Sequence, residues 1–101
     1  MATQYQVNGK KLYIKLDGEL DHHLAEKVKY QCELILRSYF IKEIIFDFEH
    51  SDFMDSSGVG LILGRYQKIH AVGGKVSVMH MNNTIRRVVH MAGLHGVIEE
   101  K

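Results

Sequence analysis

Apolar residues recur along this chain with two periods, and the points where one period gives way to the other mark its elements. Residues 11–16 alternate strictly: Leu12, Ile14 and Leu16 face one way, Tyr13 and Lys15 the other, as in a strand with one face on a core. Tyr5, Gln6 and Val7 make a shorter strand before it. Asn8-Gly9 lies between the two, and because both residue types tolerate positive φ, it predicts a two-residue hairpin. Gly18 and Asp21 then mark a loop and a helix N-cap. From residue 22 to about 38 the period is helical, with Ala25, Val28, Cys32, Ile35 and Leu36 on one stripe. Glu33 and Arg37 are spaced for an i,i+4 pair on its solvent side.

The alternation returns over residues 43–48, with Ile44, Phe46 and Phe48 on one face and Ile45 and Asp47 on the other. A second helix is expected from about 57 to 71, with a core stripe of Val59, Ile62, Leu63, Tyr66 and Ile69, stopped by Gly73-Gly74. Residues 75–79 read as a strand with Val76 and Val78 inward. Asn82-Asn83 opens a third helix with the stripe Ile85, Val88, Val89 and Ala92; Gly93 closes it, with Leu94 placed for the hydrophobic contact of a Schellman end. Val97-Ile98 is expected to be a last short strand. The order β-β-α-β-α-β-α-β implies an α/β fold with right-handed crossovers. Its sheet is mainly parallel, with an antiparallel N-terminal edge strand. Lys15, Asp47 and Ser77 put polar groups on the second face of three strands, so the helices are expected mostly on one face, with the other partly wet.

Composition narrows the function classes. A chain of 101 residues holds one core, so residues 1–101 are expected to be a single domain. An apolar share of 46% with a formal net charge of +1 excludes a disordered chain. The longest apolar stretch, residues 59–64, is far short of a membrane span, and the first four residues lack the character of a secretory signal. The single cysteine, Cys32, reads as a core residue that forms no internal disulfide and suits a reducing cytoplasm. Thirteen basic against twelve acidic residues give no electrostatic reason for a nucleic-acid partner. Arg86, Arg87 and His90 form a small basic patch on what reads as a solvated helix face.

In a parallel α/β sheet, ligands and partners meet the loops beyond the carboxyl ends of the strands. Here those loops are residues 18–23, 51–58 and 81–84. The middle one, Phe53-Met54-Asp55-Ser56-Ser57-Gly58, runs into a helix N-terminus, where backbone donors and the dipole favour a phosphate. Asp55-Ser56-Ser57 supplies residues that cap helices; a hydroxyl at such an exposed junction is equally open to modification. Gly58, Gly60 and Gly64 are costly inside one helix. They imply either close packing or a smooth surface for a partner's backbone. Enzyme motifs fail: neither Ser56 nor Ser57 sits in G-x-S-x-G, and Gly60 to Tyr66 lacks the spacing, lysine and hydroxyl of a P-loop. The seven histidines show no metal-ligand spacing, so neither a metal nor a cofactor is expected. A hydrolase using Ser56 or Ser57 is thereby disfavoured.

Three segments then resemble one family. They are Gly18-Glu19-Leu20-Asp21-His22-His23, Phe53 to Gly60 and Leu63-Gly64-Arg65-Tyr66. All are similar to the anti-sigma factor antagonists with the STAS fold, in particular the sporulation anti-sigma F factor antagonists of endospore-forming bacilli. The likeness spans essentially the whole chain. It implies a cytoplasmic partner-switching regulator that is not an enzyme and whose partner is an anti-sigma factor that is also an ATP-dependent serine kinase. The unphosphorylated antagonist would bind that nucleotide-bound kinase and free the sigma factor. The kinase would phosphorylate it on the first serine of the motif, here Ser56, and a PP2C-type phosphatase would restore it. Glu19, Asp21, His22, His23, Met54, Asp55, Ser57, Gly58 and Gly60 are the expected partner-binding residues. Family members usually continue into a C-terminal helix, which this sequence is expected to lack after Glu99-Glu100-Lys101. The alternative is a small-molecule or nucleotide-binding STAS module using the same loop edge.

Overall fold

The alternating run at residues 11–16 becomes the second strand of a five-stranded sheet whose spatial order follows the chain. In a computed structural model that describes residues 2–101, the elements are β1 (Gln4–Asn8), β2 (Lys11–Asp17), α1 (His22–Ser38), β3 (Glu43–His50), α2 (Ser56–His70), β4 (Lys75–Met79), α3 (Asn83–Met91), a 3-10 turn (Leu94–Gly96) and β5 (Glu99–Glu100). Met1, with which the expected domain begins, lies outside the described residues. The strands lie in the order β1-β2-β3-β4-β5. β1 runs antiparallel to β2 and every other pair is parallel, so each helix is a crossover between neighbouring strands.

Period-two burial makes one face of the sheet apolar. Leu12, Ile14 and Leu16 of β2, Ile44, Phe46 and Phe48 of β3, and Val76 and Val78 of β4 are all buried. The helices cover that face with Ala25, Val28 and Cys32 from α1, Leu61, Ile62 and Ile69 from α2, and Ile85 and Val89 from α3, in one continuous cluster. Each large aliphatic or aromatic side chain so buried contributes about 1.5–3 kcal/mol. Burial also pushes the Cys32 thiol up to about 11, which keeps it protonated and unreactive.

Local expectations shift in five places. The hairpin turn is Gly9-Lys10, since Asn8 pairs with Lys11. Only Gly9 takes positive φ (+64°), so one glycine at the first turn position suffices. In α2 the buried stripe is Gly58, Leu61, Ile62, Arg65 and Ile69, while Leu63 points outward at 38% exposure. Ala92, the expected end of the α3 stripe, is exposed. Glu33 turns to Arg65 of α2, 3.6 Å away, and not to Arg37 on its own helix. The last strand is Glu99–Glu100 and not Val97-Ile98. The backbone N–H groups of Val97 and Ile98 both donate to the Leu94 carbonyl, which spends them in the turn.

All three helices contribute to the cluster on the first face, and the polar groups of the second face are less wet than the alternation implies. Ser77 is fully buried and donates a 2.6 Å hydrogen bond to Glu43 Oε2. Lys101 Nζ lies 3.2 Å from the same oxygen. Burial pushes the Glu43 carboxyl up, but the Ser77 hydroxyl and Lys101 outweigh it and hold the group below the usual carboxylate range. Beside them Ile45 is fully buried outside the main apolar cluster.

Candidate functional site on the carboxyl edge

The three loops at the carboxyl ends of β2, β3 and β4 are stitched together by backbone and side-chain bonds. Gly18 N–H donates to the His50 carbonyl (3.0 Å), Leu20 N–H to Phe53 (2.9 Å) and Asp55 N–H back to Leu20 (3.3 Å), so Leu20 and Met54 form a parallel bridge. Asn82 Nδ2 donates to the Asp52 carbonyl at 3.0 Å. Each loop ends in a side chain that caps the following helix. Asp21 accepts from Leu24 N–H (3.0 Å), Asp55 from Ser57 N–H (2.8 Å) and Gly58 N–H (3.4 Å), and Asn82 from Ile85 N–H (2.8 Å). Three helix N-termini therefore open on one rigid edge.

Asp55 takes the capping role, which separates two possibilities that the sequence leaves together. Ser56 is the first residue of α2 and is exposed. Its hydroxyl has no hydrogen-bond partner among the described residues. Ser57 is half-buried. The other expected partner-binding residues divide by depth. Glu19, His22, His23 and Gly60 are exposed, and Asp21 and Asp55 are half-buried. Met54 is 1% exposed and Gly58 is buried, so these two hold the surface up from beneath.

The glycines of α2 also divide. A Cβ on Gly58 would lie 2.4 Å from Met54 Cγ and 3.0 Å from Leu20 Cδ2, so close packing accounts for it. A Cβ on Gly60 or Gly64 would meet nothing within 4 Å, so packing within the chain does not account for these two.

Two features of this region escaped the sequence reading. Arg65 is only 4% exposed. It stands four residues after Leu61 and four before Ile69, so its helical spacing on the buried stripe was the available signal. The second is a cluster of Asp47, Glu49 and His80, whose ligand atoms lie within 4.8 Å of one another. His80 Nδ1 sits 2.7 Å from Asp47 Oδ1 and Lys15 Nζ 3.0 Å from Glu49 Oε1; these ion pairs already engage all three residues. Asp47 pairs in register with Met79 across β3 and β4, which brings the next residue, His80, to it. The basic patch on α3 is partly neutralised, because Arg86 pairs with Glu100. No helix among the described residues is long and apolar enough to cross a membrane.

The comparison with known proteins agrees with this sheet. The STAS domain matches residues 2–101. The chain belongs to the STAS-domain family of anti-sigma factor antagonists. It is 37% identical over 87 residues to the anti-sigma F factor antagonist of Paenibacillus polymyxa, covering 86% of this chain and 74% of that one. Among solved structures it is similar to the anti-sigma factor antagonist SpoIIAA in its unphosphorylated form. That match has a TM-score of 0.87 and 36% identity, and covers 99% of this chain and 88% of the other. It is also similar to the Bacillus cell fate determinant SpoIIAA in the phosphorylated form, with a TM-score of 0.78, 36% identity, and 99% and 91% covered. For this STAS domain the β-β-α-β-α-β-α-β order read from the alternating runs is the fold of its relatives.

Proposed function

We propose that the unphosphorylated protein binds an anti-sigma factor that is also an ATP-dependent serine kinase, releasing sigma F. Phosphorylation of Ser56 by that kinase ends the interaction, and a PP2C-type phosphatase reverses it. The observation that carries this reading is the position of Ser56: first in α2, exposed, with its hydroxyl unengaged while Asp55 does the capping. In the transfer, Ser56 Oγ attacks the γ-phosphorus of ATP, ADP leaves, and the hydroxyl proton passes to a base of the kinase. That a similar structure is described as the phosphorylated form of SpoIIAA supports the assignment of a phosphoprotein.

The physics of the edge suits a switch that blocks a surface without refolding the domain. A phosphoryl group adds about −1.5 to −2 charges at neutral pH. The N-terminus of α2 favours negative charge by about 0.3–1 kcal/mol, so the folded state tolerates it. The formal net charge moves from +1 to about −1. The new charge stands beside Asp55 on the surface formed with Glu19, Asp21, His22 and His23. A partner that presents its own nucleotide phosphates meets repulsion there.

The test is mass spectrometry of the intact protein after incubation with ATP and the anti-sigma F factor of the same organism. A gain of one phosphate, mapped to Ser56 and absent from Ser56→Ala, is the expected result. Because Asp55 supplies the cap, Ser56→Ala should stay within about 0.5 kcal/mol of the parent stability. Phosphate on Ser57, or none, contradicts the proposal.

A further inference from the structure

The seam between α1 and α2 holds a groove of about 270 Å³, and Arg65 lines it together with Gly60, Gly64 and Ala25. Two independent observations mark this groove as built to receive something. The first is Arg65 itself. Its side chain is 4% exposed, and neither Nε nor Nη1 has a hydrogen-bond partner among the described residues. Nη2 lies 3.6 Å from Glu33 Oε2, beyond hydrogen-bond range. A guanidinium keeps its proton in a protein, so burial leaves a cation with two of its three nitrogens lacking acceptors. The second is the pair of glycines. Both stand inside a helix, where glycine is unfavourable. Neither is needed for packing, since a Cβ at either position would enter open space.

We propose that this groove receives an acidic side chain of the anti-sigma factor, whose carboxylate pairs with Arg65. The proposal rests on the reading of the protein as a binder of that factor. Two features select this occupant. Glu33 answers only Nη2 of Arg65, at 3.6 Å, so Nε and Nη1 still lack an acceptor, and the planar guanidinium matches a carboxylate in geometry. His22 and Ser57 line the groove and also belong to the loop edge, so a partner seated over Ser56 continues into it. The docking surface thus runs from the Ser56 edge down the α1–α2 seam, and Gly60 and Gly64 keep that path open.

The experiment is calorimetric titration of the wild type, Gly64→Leu and Arg65→Gln with the anti-sigma F factor of the same organism, each variant checked by its melting temperature. Gly64→Leu fills the groove without removing Arg65, and its added side chain starts into open space. It should melt at or above the wild-type temperature and bind at least tenfold more weakly. Arg65→Gln, if it folds, should also bind at least tenfold more weakly and lose part of the salt dependence. Wild-type affinity in Gly64→Leu, while Ser56→Asp binds weakly, overturns the groove and leaves the function standing. Weak binding by Gly64→Leu with undiminished binding by a folded Arg65→Gln overturns the carboxylate pairing. A wild type that does not bind the anti-sigma factor overturns the functional reading and this proposal with it.

Discussion

Gly58 and Gly60 stand two positions apart on one helix and have opposite reasons to be glycine. At Gly58 a methyl group would press on the buried Met54 side chain at 2.4 Å and on Leu20 at 3.0 Å, contacts that hold the second loop against the first. Overpacking of this kind costs about 1–3 kcal/mol. At Gly60 the same methyl meets nothing, and replacing a helical glycine by alanine stabilises by about 0.8–1 kcal/mol. Urea denaturation should therefore show Gly58→Ala destabilised and Gly60→Ala stabilised. Equal shifts of one sign would show that the loop packing around Met54 is not as described. The sequence marked both glycines as needing a reason but could not divide them, because what surrounds a missing Cβ is set by residues distant in the chain.

At the scale of elements, the first four strands and the three helices were legible because each carries one clear period, and the N-caps, Asp21, Asp55 and Asn82, are residue types suited to capping; the last strand was misplaced at Val97-Ile98, whose N–H groups the Leu94 turn takes. The sites that escaped are those made by register and by pairs of elements. Ser77 reads as a solvent-facing polar residue until Glu43 of the next strand is seen to accept its hydrogen bond. Arg65 stands outside the expected core stripe of α2, and its burial between Leu61 and Ile69 appears only when α2 is set against α1. The His80–Asp47 contact belongs to this class, since it ties the end of β4 to β3 at 2.7 Å. The hydrogen bond that His80 Nδ1 donates to Asp47 Oδ1, and then the charge of that carboxylate, raise the His80 pKa above the ordinary histidine value. The folded state therefore favours the protonated imidazole. Its stabilising effect is fully present below the unfolded pKa of about 6.5 and is lost as pH rises through the folded pKa. Proton NMR titration should find His80 above the ordinary value in the wild type and close to it in Asp47→Asn. The same pKa in both proteins would contradict the contact.

For the whole molecule, the central claim is that a small rigid STAS domain is switched by charge placed on a preformed surface. The sheet order brings the first and second loops side by side, backbone hydrogen bonds lock them together, and the Ser56 hydroxyl stands at the start of α2. Nothing in this arrangement requires the core to move when Ser56 carries a phosphate. The most direct measurement is the affinity of the anti-sigma F factor for the unphosphorylated protein and for the protein phosphorylated on Ser56, taken with the melting temperatures of both forms. The account predicts that phosphorylation weakens binding at least tenfold, which corresponds to about 1.4 kcal/mol or more, with melting temperatures within a few degrees of each other. Equal affinities would contradict the switch, and a collapse of the melting temperature on phosphorylation would contradict the rigid surface on which it is argued to act.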